Sequence, residues 1–329
     1  MKRRDAIKLL GAAAASQALS VSRSALGQAQ TRKRVGFLYP GLGSVVTSRL
    51  QAFRDGLREA GWGDDKVEID ARFAESVAPR NAALAAELVA AKVDVLAPIS
   101  FVSVEAARAA TKTIPIVAFD LETDPIAAGI AANLARPGGN TTGVYFDFPD
   151  FSSKWMELLK EAVPRLAKVV VVRDPSSPSP QLKGIETAAK WLNVKLDGIV
   201  DVTSLDGMDA AFRSAGERHP DAVLILSSPL FGTNPARVAE LTTKYRLPAI
   251  TLFPEFARNG GLMAYGVDLP GAFHQAGGMV GKVLSGAKPA ELPIERPTKF
   301  ELVVNAKTAK SFGIDLPTAV LLRADEVME

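Results

Sequence analysis

The chain of 329 residues has no cysteine. Disulfides, thiolate metal sites and a lipidated amino-terminal cysteine are therefore excluded. Only two histidines occur, His219 and His274, and neither stands in a setting that a general base requires. His219 precedes Pro220 at a helix end, a place where histidine caps carbonyls or faces water. No Gly-x-Ser-x-Gly elbow and no Walker lysine is found, and Gly41-x-Gly43 lacks the third glycine of a dinucleotide fingerprint. No apolar run reaches the roughly 18 residues of a membrane span. These absences leave no candidate catalytic residue, no metal site and no cofactor site, so the chain reads as a non-enzyme.

The apparent basicity has a local source. Lys2, Arg3, Arg4 and Lys8 form a charged start, Leu9 to Leu26 is mildly apolar, and Gly27-Gln28-Ala29 offers small residues to a signal peptidase. Residues 1–29 read as a signal peptide cut near Ala29, and the arginine pair resembles the twin-arginine export motif, with an ordinary Sec signal as the alternative. Without them 34 basic residues face 35 acidic ones, and the formal charge moves from +3 to −1. Nothing then calls for nucleic acid as a partner. The expected location is the periplasm.

From Val35 the chain alternates short apolar runs with amphipathic segments. Val35–Tyr39, Val67–Phe73, Val93–Ser100 and Ile114–Phe119 read as strands, and Ser48–Ala60, Arg80–Ala91 and Val104–Ala110 as helices, the last capped by Ser103. The helix from Ser48 presents Leu50, Phe53, Leu57 and Ala60 on its apolar face, with Arg49 elsewhere. Pro137-Gly138-Gly139-Asn140 then breaks the pattern, and the extended Thr141–Tyr145 follows. The stretch Leu134–Val144 is where the chain is expected to change lobes. The alternation resumes after it, with strands at Val169–Val172, Lys195–Val200, Ala222–Leu226, Ala249–Phe253 and Gly261–Val267. Asp268 with Pro270 marks a second crossing, a helix from Ala272 to Leu284 returns to the first half, and a third crossing near Pro297 leads to the last strand, Lys299–Asn305. Trp155 and Trp191 fall on inward helical faces.

Strict alternation argues for two mostly parallel α/β lobes joined by a three-segment hinge. The first lobe takes residues 32–144 and 270–297, the second 145–269 and 298–329. Ligands of such sheets sit beyond the carboxyl ends of the strands. The candidates on the first rim are Ser44, Ser100, Phe101, Ser103, Asp120, Thr123 and Asp124; those on the second are Asp174, Ser227, Ser228, Phe231, Phe253, Glu255 and Asp268. Tyr145, at the crossing, joins Phe101, Phe231 and Phe253 as an aromatic able to stack on a planar ligand. A carboxylate would suit the donors of Ser100 to Ser103, whereas an ammonium needs an acid such as Asp120, Glu255 or Asp268. Each has a plainer reading: Ser103 as a cap, Asp120 and Asp174 as turn acceptors, Phe231 and Phe253 as core.

Phe37-Leu-Tyr-Pro-Gly41, Ala85–Val89, Val93–Val95, Ile114–Ile116, Asp124-Pro125, Leu134–Asn140, Gly260–Gly266, Lys299–Asn305 and Arg323–Glu326 resemble the ABC-transporter substrate-binding family often described as binding tryptophan or other aromatic amino acids. The resemblance implies a type I periplasmic binding-protein fold, a monomer that closes on a small ligand and presents it to an inner-membrane permease. A ligand sensor for a membrane receptor is the alternative on the same fold, and an enzyme with an unusual site a third. The chain departs from the family pattern at Ser100–Ser103, where many members carry Gly-Thr-Pro, at Asp120-Leu-Glu-Thr123, and at Tyr145–Asp150. Those are segments that face a ligand.

Overall fold

The computed structural model describes residues 32–146 and 149–329. The expected signal peptide, with Ala29, lies outside the described residues. Among the described residues no helix is long and apolar enough to cross a membrane.

The first sheet holds β1 (Lys33–Tyr39), β2 (Val67–Phe73), β3 (Val95–Pro98), β4 (Ile116–Asp120) and β5 (Thr141–Tyr145) in the order β2-β1-β3-β4-β5, every pair parallel. Helices α1 (Thr47–Glu59), α2 (Arg80–Ala90) and α3 (Ser100–Ala110) connect its strands. Because both faces are covered, β3, β4 and β5 are buried at every position, which explains why β3 and most of β4 read as continuous apolar runs.

The second half adds α4 (Pro149–Ala162), β6 (Lys168–Arg173), α5 (Gln181–Trp191), β7 (Lys195–Asp201), α6 (Met208–Glu217) and β8 (Ala222–Ile225). After them come α7 (Pro229–Gly232), α8 (Pro235–Lys244), β9 (Ala249–Thr251), α9 (Pro254–Arg258) and β10 (Met263–Val267). The chain ends with α10 (Leu269–Leu284), β11 (Phe300–Asn305), α11 (Ala306–Ser311), α12 (Thr318–Arg323) and β12 (Glu326–Met328). Its sheet runs β12-β11-β10-β9-β8-β6-β7, parallel except where β11 returns against β10. The strand order reverses at β1/β3 in the first sheet and at β6/β8, towards one edge, in the second. A crevice opens at such a reversal.

Helix α10 leaves the second sheet and packs along α1. Asp268 caps it, accepting from the Gly271 amide at 3.1 Å. The two helices approach to backbone contact because glycines line the seam: a Cβ on Gly56 would stand 2.0 Å from the His274 carbonyl oxygen, and one on Gly277 2.1 Å from that of Phe53. The chain then runs beside β5, where Tyr145 donates to the Glu295 carbonyl at 3.0 Å and the Glu295 amide to that of Gly143 at 2.9 Å. From there it passes to β11.

Several expectations are corrected. Thr141–Tyr145 pairs with β4 along its whole length, so the chain leaves the first lobe after Tyr145 and not within Leu134–Val144. Asn140 instead anchors the amino-terminal end of β4, its side chain donating to the Ile114 carbonyl at 2.9 Å. Ser103 caps nothing: α3 begins at Ser100, and the Ser103 hydroxyl donates to Asn81 Oδ1 at 2.8 Å. Trp155 is buried and donates to the Tyr265 carbonyl at 2.7 Å, but Trp191, at the end of α5, is 88% exposed. Lys299–Asn305 is not the final strand, because β12 pairs with β11 in parallel.

The seam supplies a test. Gly277→Ala forces its methyl against a backbone carbonyl that cannot rotate away, and should cost about 1–3 kcal/mol of unfolding free energy in urea titration. Gly278→Ala meets its first neighbour only at 4.0 Å and should be neutral or stabilising. Equal effects would show that the seam is not set by the close approach.

Candidate functional site

The reversal points of the two sheets face each other, and the cleft between them holds two adjoining cavities. The inner one, of about 40 Å³, is walled by the aromatic rings of Tyr39, Phe119, Phe253 and Phe273, with Arg49, Ser100, Glu122 and Ser228 as its polar side chains. The outer one, of about 240 Å³, lies between Ser76, Asn81 and Phe101 on one side and Asp174, Ser176 and Leu230 on the other. Pro40, Pro229 and Thr233 line both. The inner space is room for water, a molecule of which takes up roughly 30 Å³ in the liquid.

Side chains join the lobes across this cleft. Glu122, in the loop after β4, accepts from Ser100 at 2.9 Å on its own lobe and from Ser227 at 2.8 Å on the other. It also accepts from the Phe101 amide, so the first turn of α3 faces it. Ser100 stands in a left-handed backbone conformation, φ 68°, which turns the chain from β3 directly into that helix. A second bridge runs from Arg49 on α1 to Glu255 on α9, with the Tyr39 hydroxyl hydrogen-bonded to the same guanidinium. Ser76 and Thr233 meet at 3.4 Å.

The charges in this region are unusual. Glu122 is 4% exposed and Asp120 entirely buried, with Asp120 Oδ1 accepting from the Glu122 amide at 2.9 Å. Burial first, and the neighbouring Glu122 second, hold the Asp120 carboxyl well above the ordinary range, and burial likewise raises Glu122 although Ser227 and Ser100 pull the other way. Burial opposes the Arg49 charge, but Glu255 and then Tyr39 outweigh it and keep the guanidinium charged.

The sequence candidates divide among these features. Ser100 and Phe253 line the inner cavity, Phe101 and Asp174 the outer one, and Ser227 and Glu255 make the bridges. Asp120 lies beneath Glu122, with Thr123 buried beside it. Asp174 accepts from the Ser176 amide at 2.9 Å and the Ser177 hydroxyl at 3.3 Å in a turn, while Phe231 is buried behind the Ser228 hydroxyl that caps α7. Ser44, Ser103, Tyr145 and Asp268 belong to neither the cavities nor the bridges: Ser44 is exposed on a 3-10 turn, Ser103 lies behind Asn81, Tyr145 is buried beside β4, and Asp268 caps α10 and pairs with Lys299 at 3.1 Å. The exposed Asp124 is an acceptor for the turn amides of Ile126 and Ala127.

Glu122, Arg49, Tyr39, Phe119 and Phe273 had no place among the sequence candidates. Arg49 shares a helical face with Phe53, Gly56 and Leu57, so an i, i+4, i+7 reading that admitted a buried arginine would have found it. Glu122 had the signal of lying between two acids at a strand end, inside a loop already noted as departing from the family pattern.

The profile of one protein family, described as "ABC transporter substrate binding protein", matches residues 43–328. The chain belongs to that family. It is a family of substrate-binding proteins, not of enzymes. The chain is 27% identical over 269 residues to the tyrosine-binding protein of Clostridioides difficile strain R20291, covering 80% of this chain and 76% of the relative. Among solved structures it resembles the ABC domain from Streptococcus pneumonia in complex with L-Trp, at 24% identity and a TM-score of 0.82, over 91% of this chain and all of that one. A conserved domain protein of Vibrio cholerae gives 0.81 at 23% identity over 90% of this chain and 100% of the other, and the ligand-free, open structure of a Clostridium difficile substrate binding protein with adhesive properties 0.65 at 23%, over 90% and 99%.

The buried acids make stability depend on pH. Both carboxyls titrate higher in the folded chain than in the unfolded one, where they titrate near 4. Their contribution is therefore fully present below the unfolded values and is lost as pH rises through the raised native values. Asp120→Asn keeps the hydrogen-bonding shape without the titration. Melting followed by circular dichroism from pH 4 upward should decline less steeply in this variant than in the native protein; parallel curves would mean that the pair is not the source.

Proposed function

We propose that the protein is the exported solute-capturing component of an ABC importer. It works as a monomer in the periplasm, with the lobes at 32–145 plus 270–297 and 146–269 plus 298–329, and delivers its ligand to an inner-membrane permease. The observation that carries this reading is the pair of bridges, the buried Glu122–Ser227 and the partly exposed Arg49–Glu255, thrown from strand ends and helices of one lobe to the other beside a shared cavity. Family membership supports it.

The ligand is a small molecule with an aromatic ring, of which tyrosine, phenylalanine and tryptophan are the first choices. Tyr39, Phe119, Phe253 and Phe273 offer faces and edges to such a ring, with Phe119 and Phe273 already in tilted contact at 4.5 Å. The names of the tyrosine-binding relative and of the L-Trp complex agree with this chemistry. An inner cavity of about 40 Å³ is smaller than any such molecule, so the lobes must part to admit one and close again around it. Only a ligand that touches both lobes shifts the balance toward closure.

Differential scanning fluorimetry of the mature protein against the aromatic amino acids tests the reading. A ligand specific to the folded state stabilises it by about 2.7 kcal/mol at a hundred times its Kd, and the midpoint should rise accordingly. Small-angle scattering should show the radius of gyration falling with the same ligand. Recovery of the ligand in chemically altered form would refute a binding role without catalysis, and the absence of any midpoint rise across the series would remove the aromatic ligand.

A further inference from the structure

Two carboxyl groups are buried together at the floor of the cleft, and the cleft supplies no cation for them. The one arginine on the inner cavity wall, Arg49, is committed to Glu255. No lysine, arginine or histidine is among the groups that act most strongly on Asp120 or Glu122. Asp120 is wholly buried and its Oδ2 has no donor at hydrogen-bond distance; the Thr123 hydroxyl beside it acts on the carboxyl less than burial and Glu122 do, and the side chain it faces, Glu122, is another acceptor. Two acceptors confronting each other out of water require a positive group between them: either a proton or a cation.

The surroundings indicate which cation the site would take. Glu122 forms part of the cavity wall together with four aromatic rings, and aromatic faces attract an organic ammonium as well as an apolar ring. We infer that Glu122, backed by Asp120, is the specificity-determining residue of the cleft and that it selects ligands carrying a protonated amine. The inference rests on the reading of the cleft as the ligand site and names the ligand group that this site requires. Arg49, already neutralised by Glu255, leaves a ligand carboxylate as an optional feature, so the selected class is arylalkyl amines, with aromatic amino acids as one branch of it.

Without ligand, burial favours a proton on the Asp120–Glu122 pair. Arrival of the ammonium supplies the positive charge in its place, and one proton leaves for solvent. The other titratable or charged groups facing the pair do not compete for that role: Tyr39 on β1 and Tyr145 on β5 are both buried phenols held above their ordinary values, and Arg49 on α1 and Glu255 on α9 neutralise each other. From α3 and the end of β8 come only the Ser100 hydroxyl, the Phe101 amide and the Ser227 hydroxyl. Below the native titration range of the pair the ammonium must displace a proton, so affinity for it rises with pH until the pair is ionised.

Isothermal titration of the mature protein with phenylalanine, phenethylamine and 3-phenylpropionate, in phosphate and in Tris, tests the inference without any mutation. The two amines should bind, and the difference in heat between the buffers should report proton release; 3-phenylpropionate should bind at least tenfold more weakly and release none. Glu122→Gln should weaken both amines at least tenfold and leave 3-phenylpropionate unchanged. If that variant does not fold, Asp120→Asn should still abolish the buffer-dependent heat. Binding of 3-phenylpropionate as tight as that of phenethylamine, or amine binding with no proton release, overturns the inference while leaving the binding function intact. Failure of all three compounds removes the aromatic ligand and this inference with it.

Discussion

A carboxylate buried between two lobes is the constraint around which the rest is arranged. Glu122 stands in a loop at the end of β4 and is contacted from α3, from β4 and from the far side of the cleft. To seat it, the chain brings together a left-handed Ser100, the first amide of α3 and a serine of the second sheet, all at the carboxyl ends of strands. Parallel sheets place those ends on one side, so the fold delivers these donors to one spot without any single segment having to travel far.

The two bridges differ in kind. Arg49 and Glu255 form an ion pair, joined at the guanidinium by the Tyr39 hydroxyl; Glu122 meets only hydroxyl and amide donors. An ion pair at a cleft mouth, with Glu255 partly exposed, loses strength in salt and in water as the lobes part. The hydrogen bond from Ser227 is short-ranged and has little hold once the surfaces separate. Both contacts would be lost together if the two surfaces separated.

The alternation of strands and helices was legible because parallel strands buried on both faces read as apolar runs, and the helices carry 3.6-residue stripes. Parallel pairing, two sheets and return of α10 to the first followed from that pattern. Other features were hidden for identifiable reasons. Thr141–Tyr145 looked like linker because turn residues precede it, yet every one of its residues pairs with β4 in the first sheet. β12 is three residues of no clear period, and it exists through pairing with β11 alone. Trp191 was expected in the core from its size, but it sits at the end of α5 where the face turns to water. In the cleft, the serines and Glu255 were visible as polar residues at strand ends and helix starts. Arg49 and Glu122 were not, because a charged side chain on a helix or loop is ordinarily solvated and only tertiary contacts bury these two.

The segment around Glu295 has a role beyond connecting the lobes. It pairs with β5 through backbone bonds at Tyr145 and Gly143, and the Thr142 hydroxyl donates to the Leu292 carbonyl at 2.8 Å. An outer strand would otherwise present unpaired amides, which invite another chain to add itself as a strand. The connection between the two sheets is also the selvedge of the first, and it keeps that edge from fraying into its neighbours.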